Sequence, residues 1–68
     1  MMIKLFTTHC PQCQVLQKKM DMNGIKYQVE EDMTEVIDKG FMSAPILKVA
    51  DAYYIFKDAV QWVNEYED

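Results

Sequence analysis

The chain has 68 residues, half of them hydrophobic, with seven Lys or Arg against eleven Asp or Glu and a formal charge of −4. That length accommodates one domain, residues 1–68, yet lies below the size at which a single core is comfortably stable. The acidic balance argues against nucleic acid as a partner, because phosphate binding needs clustered Lys and Arg and only Lys18 and Lys19 adjoin.

Met1 to Phe6 is largely apolar, then Thr7 and Thr8 follow, with no long apolar run and no small-residue cleavage site. No signal peptide and no membrane span is read there, so a cytoplasmic, monomeric chain is expected. Met2 to Thr7 is rich in β-forming types and predicts a first, buried strand. Pro11 suits the first turn of a helix, where a missing N–H costs nothing, and Val15, Leu16, Lys19 and Met20 continue at helical spacing to a stop at Asn23-Gly24. Ile25, Tyr27 and Val29 alternate with Lys26, Gln28 and Glu30, the period of a half-buried strand.

Thr34 is placed to cap a short helix carrying Val36 and Ile37, with Gly40 ending it and Phe41 packing back. Ile46 to Val49 and Tyr53 to Phe56 predict two strands whose three-residue link, Ala50-Asp51-Ala52, allows only an antiparallel hairpin. Asp58 with Gln61 three positions on resembles a capping box, and Ala59, Trp62, Val63 and Tyr66 form the apolar stripe of a last helix. Trp62 and Tyr66 are read as core. The runs Glu30-Glu31-Asp32 and Glu65-Tyr66-Glu67-Asp68 are read as solvated faces. The order βαβαββα gives an α/β fold: a mixed four-stranded sheet with helices on both faces.

Two cysteines, Cys10 and Cys13, are too few for a disulfide scaffold, and a bond between them would close a loop too short to restrict the unfolded chain much. Their spacing serves reactivity better. A thiol attacks a disulfide only as its thiolate, and an ordinary cysteine, with a pKa of about 8.5, is mostly protonated at neutral pH. At a helix N-terminus the unpaired N–H groups favour negative charge, so Cys10 is the expected nucleophile. Cys13, a turn further in, is the expected resolving thiol. Pro11 starts the helix and stiffens the loop between the sulfurs, and Gln12 is expected to face partners. His9 is either a thiolate stabiliser or an exposed loop residue. In Ser43-Ala44-Pro45 the X-Pro bond is a candidate cis peptide that would expose the Ala44 backbone to an extended substrate.

With His9-Cys10-Pro11-Gln12-Cys13 after the first strand and Ser43-Ala44-Pro45 before the third, the chain resembles glutaredoxins and their near relatives over essentially its whole length. The resemblance implies a minimal thioredoxin fold, Cys10 as nucleophile, a cis Pro45 beside it, and Ala44 giving backbone hydrogen bonds to a bound thiol ligand. It implies no bound cofactor, and a reductant that is either glutathione or a flavoprotein thioredoxin reductase. Asp58 stands where a polar residue contacts the glutathione amino group. Thr7 stands where glutathione-dependent members carry Lys, and Tyr54-Ile55-Phe56-Lys57-Asp58 lacks their Gly-Gly pair. Lys39-Gly40-Phe41-Met42-Ser43-Ala44-Pro45-Ile46 looks more like redoxins that donate electrons to ribonucleotide reductase. The expected partner is therefore a disulfide-bearing protein.

Two other readings compete. A metal-binding CxxC module normally needs four ligands, and only Cys10, Cys13 and His9 are at hand, so no metal site is expected. A non-catalytic interaction module would have no use for an intact cysteine pair. Haem attachment needs His after the second cysteine, where Gln14 stands.

Overall fold

A computed structural model describes residues 2–66; Met1 and the end of the acidic tail, Glu67 and Asp68, lie outside the described residues. The elements follow in the expected order: β1 (Ile3–Phe6), α1 (Pro11–Met22), β2 (Gln28–Glu30), α2 (Thr34–Asp38), β3 (Ile46–Val49), β4 (Ala52–Tyr54) and α3 (Phe56–Asn64). The sheet order is β2-β1-β3-β4, with β1 parallel to β2 and antiparallel to β3, and β3 antiparallel to β4. The helix between β1 and β2 carries the chain back to the start of the sheet, which is what makes that pair parallel. The result is a small α/β structure with a mixed four-stranded sheet.

Side-chain alternation along the strands splits the core in two. Ile3, Leu5, Leu47 and Val49 point to one face, where Leu16 and Met20 of α1 and Ala59 and Val63 of α3 cover them. Phe6 and Ile46 point to the other, where Val36 of α2 meets them with Met33, Phe41 and Tyr53 alongside. Helices thus lie on both faces, but the α2 side is the smaller and more polar. There the register sets Lys4 directly opposite Lys48, a like-charge pair that opposes β1–β3 pairing. Acids neutralise it: Lys48 Nζ lies 2.9 Å from Glu35 Oε2, Lys4 Nζ lies 4.0 Å from Glu30 Oε1, and Tyr53 Oη donates to Glu35 at 2.6 Å.

Both glycines end helices by the same device. In α1, Gly24 at φ +68° donates to the Asp21 carbonyl and Ile25 donates to that of Met20, while in α2 Gly40 at φ +95° donates to Ile37 and Phe41 to Val36. This is the paired-bond motif that closes a helix with a left-handed residue and a hydrophobic contact across the turn, here Ile25 on the Met20 side and Phe41 on Val36. It explains one departure from the alternation pattern. Ile25 is buried as a helix stop, so β2 spans only Gln28–Glu30 and Val29 stands exposed on the edge strand.

Other boundaries move for similar reasons. Cys13, Leu16 and Met20 form the buried stripe of α1, whereas Val15 is 51% exposed. Thr34 is the first residue of α2 and not its cap; its N–H and hydroxyl both donate to Asp32 Oδ1, at 3.0 and 2.6 Å. β4 ends at Tyr54, and α3 begins at Phe56 with Ile55 as an N-cap that makes no side-chain bond. Asp58 is therefore no cap: it sits in the first turn of α3, where a carboxylate suits the helix dipole.

Leu16→Ala should cost about 2–5 kcal/mol in urea unfolding, as expected for a fully buried leucine, while Val15→Ala should stay within about 0.5 kcal/mol of wild type. The Lys48 ammonium, then the Tyr53 hydroxyl, hold the Glu35 carboxyl below its ordinary range. A lowered acid stabilises the fold above its unfolded-state pKa and loses that contribution as pH falls through the folded-state value. Glu35→Gln should therefore flatten the loss of stability on acidification, measured as melting temperature against pH.

Candidate active site

The end of β1 and the start of α1 set the two sulfurs side by side. Cys10 is extended, φ −72° and ψ 166°, and is the N-cap of α1: its carbonyl accepts the first helical bond from Gln14 N at 2.9 Å. Its Sγ accepts the Cys13 N–H at 3.2 Å, so sulfur occupies the place that a Ser or Asp oxygen usually fills at a helix start. Pro11 takes the first helical position. The two Sγ atoms are 2.7 Å apart; both cysteines are free, Cys13 fully buried and Cys10 part-exposed.

The residue before the pair is held in an unusual backbone state. His9 has φ +62°, a left-handed conformation uncommon for a side chain without a local hydrogen-bond reason. Three contacts supply one: His9 N–H donates to Thr7 Oγ1 at 2.9 Å, Gln14 Nε2 donates to the His9 carbonyl at 3.3 Å, and His9 Nε2 lies 2.8 Å from Glu31 Oε2. The imidazole is thus engaged with Glu31 in an exposed pair, the surface-residue alternative of the sequence reading.

The Ala44–Pro45 peptide is cis and Pro45 is fully buried. The Ala44 carbonyl lies 3.8 Å from Cys10 Sγ, within reach of a weak S–H donor. Thr8, Met33, Ile37, Phe41, Met42, Ser43 and Ala44 line an open depression of about 450 Å³ that adjoins this loop. Gln12 is exposed one residue past Pro11. Asp58 is not gathered into this cluster; with Tyr54, Gln61, Trp62 and Glu65 it lines a separate depression.

Burial pushes the Cys13 thiol up, but hydrogen bonds from the Cys10 side chain, the Thr7 hydroxyl and the backbone of Thr8 and Cys10 together outweigh it and bring it from 9.0 to about 7. Exposure of the pair is asymmetric, Cys10 being part-exposed and Cys13 fully buried.

Sequence reasoning missed Thr7 as a residue that shapes the site: fully buried at the end of β1, its hydroxyl oxygen accepts the His9 N–H. It also missed the depression beside Ala44, although Met42 after the Gly40 stop, 97% exposed, was a legible sign of apolar surface there. Among the described residues no three His, Cys, Asp or Glu side chains converge as metal ligands, and no helix is long and apolar enough to cross a membrane. Comparison with protein-family models, curated proteins and solved structures gave no match.

A thiol acidified by the fold binds fewer protons than the unfolded chain between about pH 7 and the ordinary cysteine value near 9, so stability rises with pH across that window. The reduced protein should therefore gain stability on going from pH 7 to pH 9 in denaturant titrations, and Cys13→Ala should abolish the gain.

Proposed function

We propose that the chain is a dithiol thiol-disulfide oxidoreductase of minimal thioredoxin, glutaredoxin-like fold, acting on disulfides of protein substrates in a reducing, cytoplasmic compartment. The observation that carries this reading is the part-exposed Cys10 sulfur at the N-cap of α1, 2.7 Å from a buried Cys13 sulfur acidified to about 7. A structural cysteine pair has no need of that acidity.

The chemistry proceeds in two exchanges. With the proton on Cys13, the Cys10 thiolate attacks one sulfur of the substrate, forming a Cys10–substrate disulfide and releasing the other substrate sulfur as a thiolate that takes a proton from water. Cys13, deprotonated in turn, attacks Cys10 Sγ; the Cys10–Cys13 bond forms, and the second substrate sulfur leaves with the electron pair. The substrate gains two electrons and the protein dithiol loses two. Pro11 keeps the sulfurs within one turn, and Gln12, exposed beside them, meets the partner. The substrate chain runs past the Ala44 backbone beside Pro45, an arrangement supported by the Ala44 carbonyl 3.8 Å from Cys10 Sγ.

Glutathione and thioredoxin reductase are the two candidate reductants, and ribonucleotide reductase is the protein substrate that the resemblance suggests. The separation of Asp58 from the cysteine cluster weighs against a glutathione site built on it.

Reduced protein should cleave the disulfides of insulin or a hydroxyethyl mixed disulfide. Cys10→Ser should bring turnover to background, and Cys13→Ser should accumulate a covalent Cys10–substrate adduct visible by mass. Undiminished turnover by the Cys10→Ser protein would overturn the proposal. Assays coupled either to glutathione and its reductase or to thioredoxin reductase then identify the electron source by which one sustains turnover.

A further inference from the structure

The open depression of about 450 Å³ beside the 43–45 loop takes no part in the two exchanges, yet it meets the cysteine cluster at two of its lining residues. Ala44 holds its carbonyl 3.8 Å from Cys10 Sγ, and Thr8 holds its hydroxyl 4.0 Å from Cys13 Sγ. Apart from Ser43, the rest of the lining is apolar, namely Met33, Ile37, Phe41 and Met42, and no lining residue carries a charge.

Two of these apolar side chains are anchored and two are not. The Phe41 N–H returns to the Val36 carbonyl at 3.0 Å after the Gly40 stop, the Phe41 ring lies 5.7 Å from that of Tyr53, and Met33 packs with it on the small core of Phe6, Val36 and Ile46. By contrast Met42 is 97% exposed and Ile37 is 60% exposed. Apolar surface left in water favours a covering apolar group.

Covalent geometry decides what can cover it. In a Cys10–substrate disulfide the substrate chain is tied to a sulfur beside Ala44, and an extended chain advances about 3.3 Å per residue. Residues one or two places from the substrate cysteine are thereby brought to the edge of the depression.

We propose that the depression receives a large apolar side chain of the substrate protein, one or two residues from the cysteine under attack, so that the chain selects disulfides flanked by Leu, Ile, Met or Phe. Methionine is unbranched and flexible, which suits a site that takes apolar side chains of several shapes. The inference rests on the proposed dithiol chemistry and names the substrate class for it.

The test uses short serine-rich peptides with one cysteine, flanked on both sides by Leu, by Phe or by Ser, each prepared as its disulfide-linked pair and mixed with excess reduced protein. Cys10 attacks one peptide sulfur, the other peptide leaves as a thiolate that takes a proton from water, and Cys13 then joins Cys10 and frees the second peptide. The protein dithiol loses two electrons and the peptide disulfide gains them. Loss of the linked pair is followed by chromatography, and each rate is divided by that of the same pair with dithiothreitol, which removes differences in the peptides' own reactivity. The Leu and Phe pairs should each react about tenfold faster than the Ser pair, a discrimination within the reach of one apolar subsite. Met42→Gln should reduce that preference to about threefold or less, whereas Met22→Gln, at a 77% exposed methionine ending α1, should leave it unchanged.

Equal rates for the apolar and Ser pairs would overturn the inference while the dithiol function stands, and so would a preference that Met42→Gln lowers no more than Met22→Gln does. If no pair is cleaved, the dithiol function fails and the inference with it. Self-association of the protein that rises with concentration and that Met42→Gln dissolves would assign the depression to a second copy, and would also overturn the inference.

Discussion

The hydrogen bond from the Cys13 N–H to the Cys10 sulfur is the contact on which fold and chemistry both depend. It caps α1, the longest helix, whose buried stripe of Cys13, Leu16 and Met20 covers the larger face of the sheet. An N-cap contributes about 1 kcal/mol to a helix, a useful share of the stability of so short a chain. The same bond gives negative charge on the sulfurs a partner at the positive end of the helix. A substitution at residue 10 therefore alters the helix start and the sulfur pair together.

The sheet supplies what the helix lacks. β1 and β3 are central neighbours, and the chain enters β3 through Ala44 and Pro45 just as it leaves β1 through Thr7. Register places Phe6 opposite Ile46, so antiparallel pairing brings the 43–45 loop beside the 7–10 loop. The approach of the Ala44 carbonyl to Cys10 Sγ at 3.8 Å is thus a consequence of strand pairing and not of any direct bond between the loops. The polar face of the sheet shares in this. The Lys4–Lys48 opposition would loosen β1 from β3 if Glu30 and Glu35 did not offset it, and Glu35 is delivered by α2, the helix closed by Gly40 at the edge of the same loop.

Much of the architecture was legible because its signals are local. Pro11 at a helix start, alternation at Ile46 to Val49 and the two glycine stops each follow from backbone preference, and the element order follows from them. The errors arose where two local signals overlapped. Ile25 fits a strand alternation and a helix stop equally well, and only the bond to the Met20 carbonyl decides between them. Asp58 and Gln61 have the spacing of a capping box, but packing of Phe56 against the core starts the helix earlier. The Thr34 hydroxyl is not free to cap because it donates to Asp32 Oδ1, as does the Thr34 N–H. In the site, the spacing of Cys10 and Cys13 predicted their proximity. The Thr7 hydroxyl and the His9 turn were not legible, since both depend on how the end of β1 meets β2 and α1.

The acidity of Cys13 bears on the energetics of the proposed cycle. The hydrogen bonds that bring the Cys13 thiol down have less to act on once the sulfurs are joined. In the proposed cycle those bonds would favour the dithiol form over the disulfide form, and a dithiol stabilised in this way makes its disulfide a stronger oxidant. The acidity that readies the pair for attack thus also weakens it as a reductant. In that proposed cycle a helix-capping sulfur beside a buried, acidified sulfur sets a balance between speed of exchange and reducing power.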